Sequence, residues 1–322
     1  ARGNVAVVTG GASGIGLAVA EAMIAEGMSV VLADIDAPRL RDVEARLSED
    51  GASVATMVCN TTAEPEVNAL IEYAVEQFGG VHVMFNNAGI AGVGDAWTDP
   101  VELWSRVLDV NVLGVVHGIR AALPVMQEQG VGHIVSTASH AGLNGAPGLA
   151  PYVASKHAVV GLSESLFLEL ELTGSPVGAS VLCPEFVKTD LMGKEPDTVE
   201  SPVAQMINQV LHDRLDDRIP ASQVAADVVA AIKAGTFWIL THDSTDFYSR
   251  FAPPEVSDDD ALGAPGELDV IHVGDARVMA AVPDGSVALV VTSPPYFAGK
   301  EYETALGEGH VPGVYLDYLA ML

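Results

Sequence analysis

Two short stretches carry the groups best suited to moving a proton: Ser136-Thr137-Ala138-Ser139-His140-Ala141-Gly142 and Tyr152-Val153-Ala154-Ser155-Lys156. If the second opens a helix, Tyr152 and Lys156 stand four residues apart on one face, and the loop between can bring the Ser139 hydroxyl back beside the phenol. A free phenol titrates near pH ~10, so tyrosine is a poor base at neutral pH unless a cation favours the phenolate, and Lys156 is placed to be that cation. Ser139 can hydrogen-bond a substrate oxygen as charge builds on it. Taken alone, Tyr-x-x-x-Lys equally describes an ordinary helix start with an exposed lysine and a core tyrosine. The serine thirteen residues before Tyr152, together with a glycine motif near the start of the chain, favours the chemical reading.

Such a site needs a scaffold, and the periodicity supplies an α/β one. A strand, Asn4 to Val8, leads into Thr9-Gly10-Gly11-Ala12-Ser13-Gly14-Ile15-Gly16 and a helical pattern from Leu17 to Ala25. A glycine turn between strand and helix lets the backbone approach a pyrophosphate, and the helix start adds N–H groups and positive potential. The next strand, Ser29 to Ala33, ends in Asp34, eighteen residues past Gly16. A carboxylate there can accept from the adenosine ribose hydroxyls and repels a 2′-phosphate, which favours NAD over NADP. Arg39 and Arg41 could bind that phosphate instead. Asp36 competes with Asp34 for the ribose, or simply caps the helix that starts around Pro38 and runs from Arg39 to Leu47. Further on come a strand, Ser53 to Cys59, and a helix, Pro65 to Phe78. Another strand beginning at Val81 ends in Asn86-Asn87-Ala88-Gly89, which reads equally as a crevice wall and as a plain turn.

Composition sets the outer limits. With 322 residues and 49% hydrophobic content, the chain can bury a large core, and its mean hydropathy is +0.32. Apolar runs such as Val5 to Val8 are too short to span a bilayer, and no basic-then-apolar segment opens the chain, so a cytoplasmic protein without a membrane partner is expected. Cys59 and Cys183 read as reduced core thiols, and no metal site is implied. A net charge of −28, from 43 acidic and 15 basic residues, disfavours nucleic acid as a partner.

With these motifs in place, the chain resembles a short-chain dehydrogenase/reductase over roughly residues 4 to 250. The resemblance rests on TGGASGIG at 9–16, NNAG at 86–89, Asn111 in LDVNVLG, Ser139, and YVASK at 152–156. It implies a doubly wound parallel sheet of Rossmann type, a nicotinamide cofactor, a small alcohol or carbonyl substrate, and assembly as a homodimer or homotetramer. By resemblance, the catalytic residues are Asn111, Ser139, Tyr152 and Lys156. Tyr152 would be the acid/base; Lys156 would lower its pKa and hold the nicotinamide ribose; Ser139 would orient the carbonyl; and Asn111 would support a water chain to the lysine. Outside the resemblance, Asn111 is only a helix-interior amide. The implied cofactor contacts are Gly10, Ser13, Gly14, Ile15, Gly16, Asp34, Asn60, Asn87, Ala88, Gly89, Tyr152, Lys156, Pro184, Val187 and Thr189. Two positions depart from the pattern: Asn60 replaces an aspartate that commonly touches the adenine, and Glu185 replaces the glycine of P-G-x-V-x-T. Glu185 therefore brings a side chain and a negative charge close to the nicotinamide, unless it points to solvent.

The remaining features say less about the substrate. Met192, Met206, Ile207, Val210 and Leu211 lie at helical spacing where relatives carry a lid, Leu191 to Leu215, and read as core packing or as substrate surface. His140, His157 and His212 are isolated. The Gly/Ala/Pro-rich stretch Ala141 to Pro151 suggests room for a bulky or apolar alcohol or ketone. A helix from Ala221 to Ala234 and a strand from Thr236 to Thr241 complete the dehydrogenase-like part, 1–251. A linker at 252–266 follows. Segment 267–322, expected as a short C-terminal αβ appendage, resembles the start of a DNA amino-methyltransferase through Ser293-Pro294-Pro295-Tyr296 at the end of an apolar strand. From Gly263 onward it carries eight acidic and two basic residues, a poor balance for gripping DNA. Without a visible glycine-rich S-adenosylmethionine site, binding of that cofactor is not expected. A methyltransferase fusion and a non-catalytic dinucleotide-binding scaffold are the alternatives to the dehydrogenase.

Overall fold

The computed structural model describes residues 3–92, 96–189, 191 and 218–241. The expected lid beyond Leu191, the linker and the methyltransferase-like segment lie outside the described residues. The chain divides into two units, Ala1–Pro253 and Pro254–Leu322, and every described residue belongs to the first.

Seven strands among the described residues form one sheet: β1 (Val5–Thr9), β2 (Ser29–Asp34), β3 (Val54–Val58), β4 (Val83–Asn86), β5 (Gly132–Thr137), β6 (Val177–Cys183) and β7 (Trp238–Leu240). Their order is β3-β2-β1-β4-β5-β6-β7, and all pairs are parallel. Strands buried on both faces need apolar residues at every position, which is why β1 and β2 read as continuous runs of Val, Ala and Leu and do not alternate. The edge strand β3 is only half buried.

Helices cover both faces. On one side α1 (Gly14–Ala25), α2 (Ala37–Glu49) and α7 (Ala221–Ala234) pack over Ala6, Val8, Val30 and Leu32; on the other α3 (Glu64–Phe78), α5 (Gly114–Gln129) and α6 (Ala150–Leu172) pack over Val7, Val31, Met84 and Ile134. Helix α4 (Val101–Leu108) continues into α5 through a π-helical turn, Asp109–Leu113. By length and composition, the stretch Val101–Gln129 could cross a membrane. Here its apolar residues Val115, Ile119, Ala122 and Met126 are buried against the sheet layer instead.

The chain order reverses between β1 and β4. Strands to one side are β2 and β3, and to the other β5, β6 and β7, so the loops after β1 and β4 diverge and leave a crevice at the carboxyl ends of the strands.

Candidate active site

The crevice is a cleft of about 940 Å³. At one end lies the turn after β1. Helix α1 begins at Gly14, three residues earlier than its apolar pattern suggests, so Gly14, Ile15 and Gly16 form its first turn. Ser13 caps it in an extended conformation without a side-chain hydrogen bond. The first N–H groups of that turn have no intrahelical acceptor. Gly10 and Gly14 have φ of +62° and +54°, and a Cβ on Gly16 would collide with the Gly10 carbonyl oxygen. The bare backbone is therefore a requirement of the turn, and it leaves a cradle that a phosphate can enter.

Thr9 holds this turn in place. Its Oγ1 accepts from the N–H of Asn87 at 2.9 Å and of Ala88 at 3.1 Å, and Asn87 Nδ2 donates to the Thr9 carbonyl at 3.1 Å. The loops after β1 and β4 are thereby tied together. The two amides of Asn86-Asn87 part company, because successive strand residues face opposite sides. Asn87 lines the cleft; Asn86 is buried away from it, and a Cβ on Gly118 of α5 would strike its Oδ1.

Asp34 lines the cleft at the end of β2, its Oδ2 accepting from Ala12 N–H at 3.1 Å and its Oδ1 from Asp36 N–H at 3.1 Å. Each carboxylate oxygen keeps a lone pair for a ligand hydroxyl. Asp36 takes the capping role, accepting from Arg39 N–H at 3.0 Å and pairing with its guanidinium at 3.4 Å. Asn60 uses its Oδ1 on the N–H and hydroxyl of Thr62, at 3.1 and 2.9 Å, which leaves its amide nitrogen for the cleft.

At the other end, the chain brings Ser139, Tyr152 and Lys156 together. Ser139 follows β5 and accepts from Ala141 N–H at 3.2 Å, and its one hydroxyl proton is shared between the Pro184 carbonyl, 3.4 Å away, and the Tyr152 phenol oxygen. Lys156, one turn beyond Tyr152 on α6, is 4% exposed; its Nζ lies 5.6 Å from the Tyr152 ring centre and donates to the Thr137 carbonyl at 2.7 Å. The protein alone does not lower the phenol's pKa as the sequence suggests. Burial raises it, and the Ser139 hydrogen bond offsets part of the rise. The same burial lowers the Lys156 ammonium to about 8, with Cys183 pulling the other way. Low polarity thus dominates at both groups, and it leaves an amine able to give up its proton near neutral pH.

Asn111 sits inside the π-helical turn, fully buried, and not in regular helix. Such turns often mark functional positions. Its Nδ2 donates to the Ile90 carbonyl and to Ser155 Oγ, both at 2.9 Å, and its Oδ1 accepts from Ile90 N–H at 2.9 Å. It therefore staples the loop after β4 to α6. Gly89 lies between Asn111 and the lysine: a Cβ there would sit 3.3 Å from Asn111 Oδ1 and 3.6 Å from Lys156 Nζ.

Pro184, Val187 and Thr189 line the cleft, as does Glu185. Cys59 and Cys183 are free and buried, and burial pushes their thiols up to about 11 and about 12. Both are poor nucleophiles at neutral pH. Motif reading did not single out Thr9 and Ser155, which brace the site, or Val110 and Arg106, which line the cleft. Thr9, Ser155 and Val110 lie within the quoted motifs, and Arg106 sits five residues before Asn111.

The chain has clear relatives. A family model described as short chain dehydrogenase matches residues 4–200. The CLA biosynthesis dehydrogenase/reductase of Lactiplantibacillus plantarum is 31% identical over 253 residues, which cover 75% of this chain and 88% of that protein. A short-chain dehydrogenase/reductase from Burkholderia phymatum, solved in complex with NAD, superposes with a TM-score of 0.72 at 38% identity, covering 77% of this chain and 92% of that one. An actinorhodin polyketide ketoreductase solved with NADPH gives a TM-score of 0.67 at 32% identity, covering 75% and 96%.

Proposed function

The chain belongs to the short-chain dehydrogenases, oxidoreductases acting on CH–OH groups with a nicotinamide dinucleotide, and from that premise we propose an NAD-dependent enzyme that interconverts an alcohol and a ketone or aldehyde through Tyr152. The carrying observation is the cluster in which Ser139 hydrogen-bonds the Tyr152 phenol while the Lys156 amine stands 5.6 Å from its ring, all on the cleft wall.

A dinucleotide fits the residues present: the bare backbone of Gly10, Gly14 and Gly16 would hold the pyrophosphate, and Asp34 would accept from the adenosine ribose. The cofactor supplies the nicotinamide C4 that takes or gives a hydride. In alcohol oxidation the Tyr152 oxygen receives the hydroxyl proton; in carbonyl reduction it returns it. Ser139 Oγ orients the same substrate oxygen and stabilises charge building there. Lys156 compensates the phenolate that forms at Tyr152. Asn111 holds Ile90 and Ser155 so that α6 keeps its distance from the loop after β4.

NAD over NADP is supported by the braced Asp34 carboxylate, which meets a 2′-phosphate with like charge, and by the ion pair that ties Arg39 to Asp36. A homodimer or homotetramer is supported by exposed apolar side chains on the α4–α5 helix, Leu108 and Leu113, and on α6, Leu168 and Leu172. A cytoplasmic setting accords with two unpaired, buried thiols.

The test is Tyr152→Phe. Turnover of a responsive alcohol should fall by about a thousandfold, the scale of general acid–base catalysis, while NADH binding stays within about twofold. Retained turnover would remove Tyr152 from the role.

A further inference from the structure

Resting on that reading, the segment after β6 carries a more specific message. Its two ends mark the two ends of the cofactor cleft. At the start, the Pro184 carbonyl accepts from Ser139 Oγ at 3.4 Å and from His140 N–H at 2.8 Å, beside the reacting groups. Five residues on, Thr189 lies over the phosphate turn, where a Cβ on Gly14 would come 3.2 Å from Thr189 Cγ2. The stretch thus runs along the cleft from the ring end to the phosphate end, and Glu185, second from the ring end, lines its wall. The mount is firm: Ile219 N–H donates to the Phe186 carbonyl at 2.9 Å, and Lys188 N–H donates to the Ile219 carbonyl at 3.0 Å.

We propose that Glu185 makes this cleft discriminate between the two redox states of the nicotinamide dinucleotide, in favour of the cationic oxidised form. The oxidised ring carries a positive charge that hydride transfer removes. A carboxylate carried at the ring end therefore attracts one redox state and is nearly indifferent to the other. Arg218 lines the same cleft and offsets part of the field, and Glu185 is only half buried, so the discrimination is about tenfold. Preferential binding of the oxidised form makes the bound couple more reducing. A tenfold preference lowers its potential by about 30 mV, which favours hydride donation to a carbonyl on the enzyme.

The experiment compares the dissociation constants of NAD+, NADH and ADP-ribose for the full chain, Glu185→Gln and Glu185→Gly, by calorimetry and nicotinamide fluorescence. In both variants NAD+ binding should weaken about five- to tenfold, with NADH and ADP-ribose moving by less than about twofold. An unchanged NAD+/NADH ratio in Glu185→Gln overturns the proposal and leaves the dehydrogenase reading standing. A change in Glu185→Gly alone assigns the effect to backbone shape and also overturns it. If the unsubstituted chain binds neither nucleotide, the dinucleotide reading falls and takes this inference with it.

Discussion

The two ends of β5 both hold buried titratable side chains, yet only one end faces the cleft. At the amino-terminal end, His133 Nε2 lies 2.7 Å from Ser180 Oγ, and that hydroxyl donates to the Thr236 carbonyl at 2.7 Å. Because the only proton on Ser180 goes to Thr236, His133 must donate through Nε2–H and is neutral, and burial pushes its pKa down to about 4. At the carboxyl-terminal end, the Thr137 carbonyl takes the Lys156 ammonium, itself lowered to about 8, and Ser139 meets Tyr152. Both ends are desolvated, and both shift a base downward. The difference is closure. The His133 chain ends on a backbone carbonyl away from the cleft, whereas Ser139, Tyr152 and Lys156 all line it. A shifted pKa identifies a site only when the group also faces a space where a reacting atom can sit.

The sharpest way to break this comparison is to remove the titratable group at each end. Lys156→Met should lower kcat/KM by about a thousandfold, whereas His133→Gln should leave kcat/KM within about twofold. A kinetic loss in the histidine variant would join the two ends into one functional network.

Acid stability should separate them in the opposite sense. Unfolded histidine takes its proton near pH ~6.5, while native His133 takes it only near 4, so between these values the unfolded chain holds the extra proton and stability falls as pH falls. The loss from this group amounts to about 3 kcal/mol by pH ~4. Denaturant titrations of the protein and His133→Gln should converge across that window. Lys156 acts elsewhere: its native pKa of about 8 lies below the unfolded value of 10.5, so its contribution rises with pH between the two. Parallel stability curves for the protein and His133→Gln between pH ~4 and 6.5 would mean that the imidazole is already accessible to protons.

Much of this architecture was legible in the residue pattern, and the exceptions have physical causes. Helix α7 occupies the Ala221 to Ala234 span that periodicity suggests, because an amphipathic stretch between a proline and a glycine leaves little freedom at either end. The start of α1 was hidden because glycines suppress helix propensity, although the turn requires them. The glycine turn, Asp34 and the Ser139–Tyr152–Lys156 cluster follow from residue type and spacing. Their supports do not. Nothing in the types of Thr9 or Ser155 says that one braces two loops and the other anchors Asn111, since those roles exist only once β1, β4 and α6 are neighbours. Nor does a single amide announce a π-helical turn. The direction of the Tyr152 shift was equally out of reach, because residue types place a lysine one turn away but do not record the burial that sets the shift.

The smallest effects come from two glycines, one facing each end of β5. Gly178 on β6 faces the histidine: a Cβ there would lie 2.7 Å from His133 Nδ1, closer than real contacts allow. Gly178→Ala should therefore cost about 1–3 kcal/mol of unfolding free energy, the range of overpacking, without altering kcat. Gly89 faces the cleft end, where the added methyl would lie 3.3 Å from Asn111 Oδ1 and 3.6 Å from Lys156 Nζ. Those contacts are tight but tolerable, so the fold should hold to within about 0.5 kcal/mol. What changes is the gap between the Asn111 amide oxygen and the Lys156 amine, and on the proposed function kcat should fall about three- to tenfold, a barrier increase of about 1 kcal/mol. Chemical denaturation and steady-state kinetics on both variants give four numbers. A kinetic defect in Gly178→Ala, or a stability defect with normal kcat in Gly89→Ala, would mean that the two ends are not divided by closure.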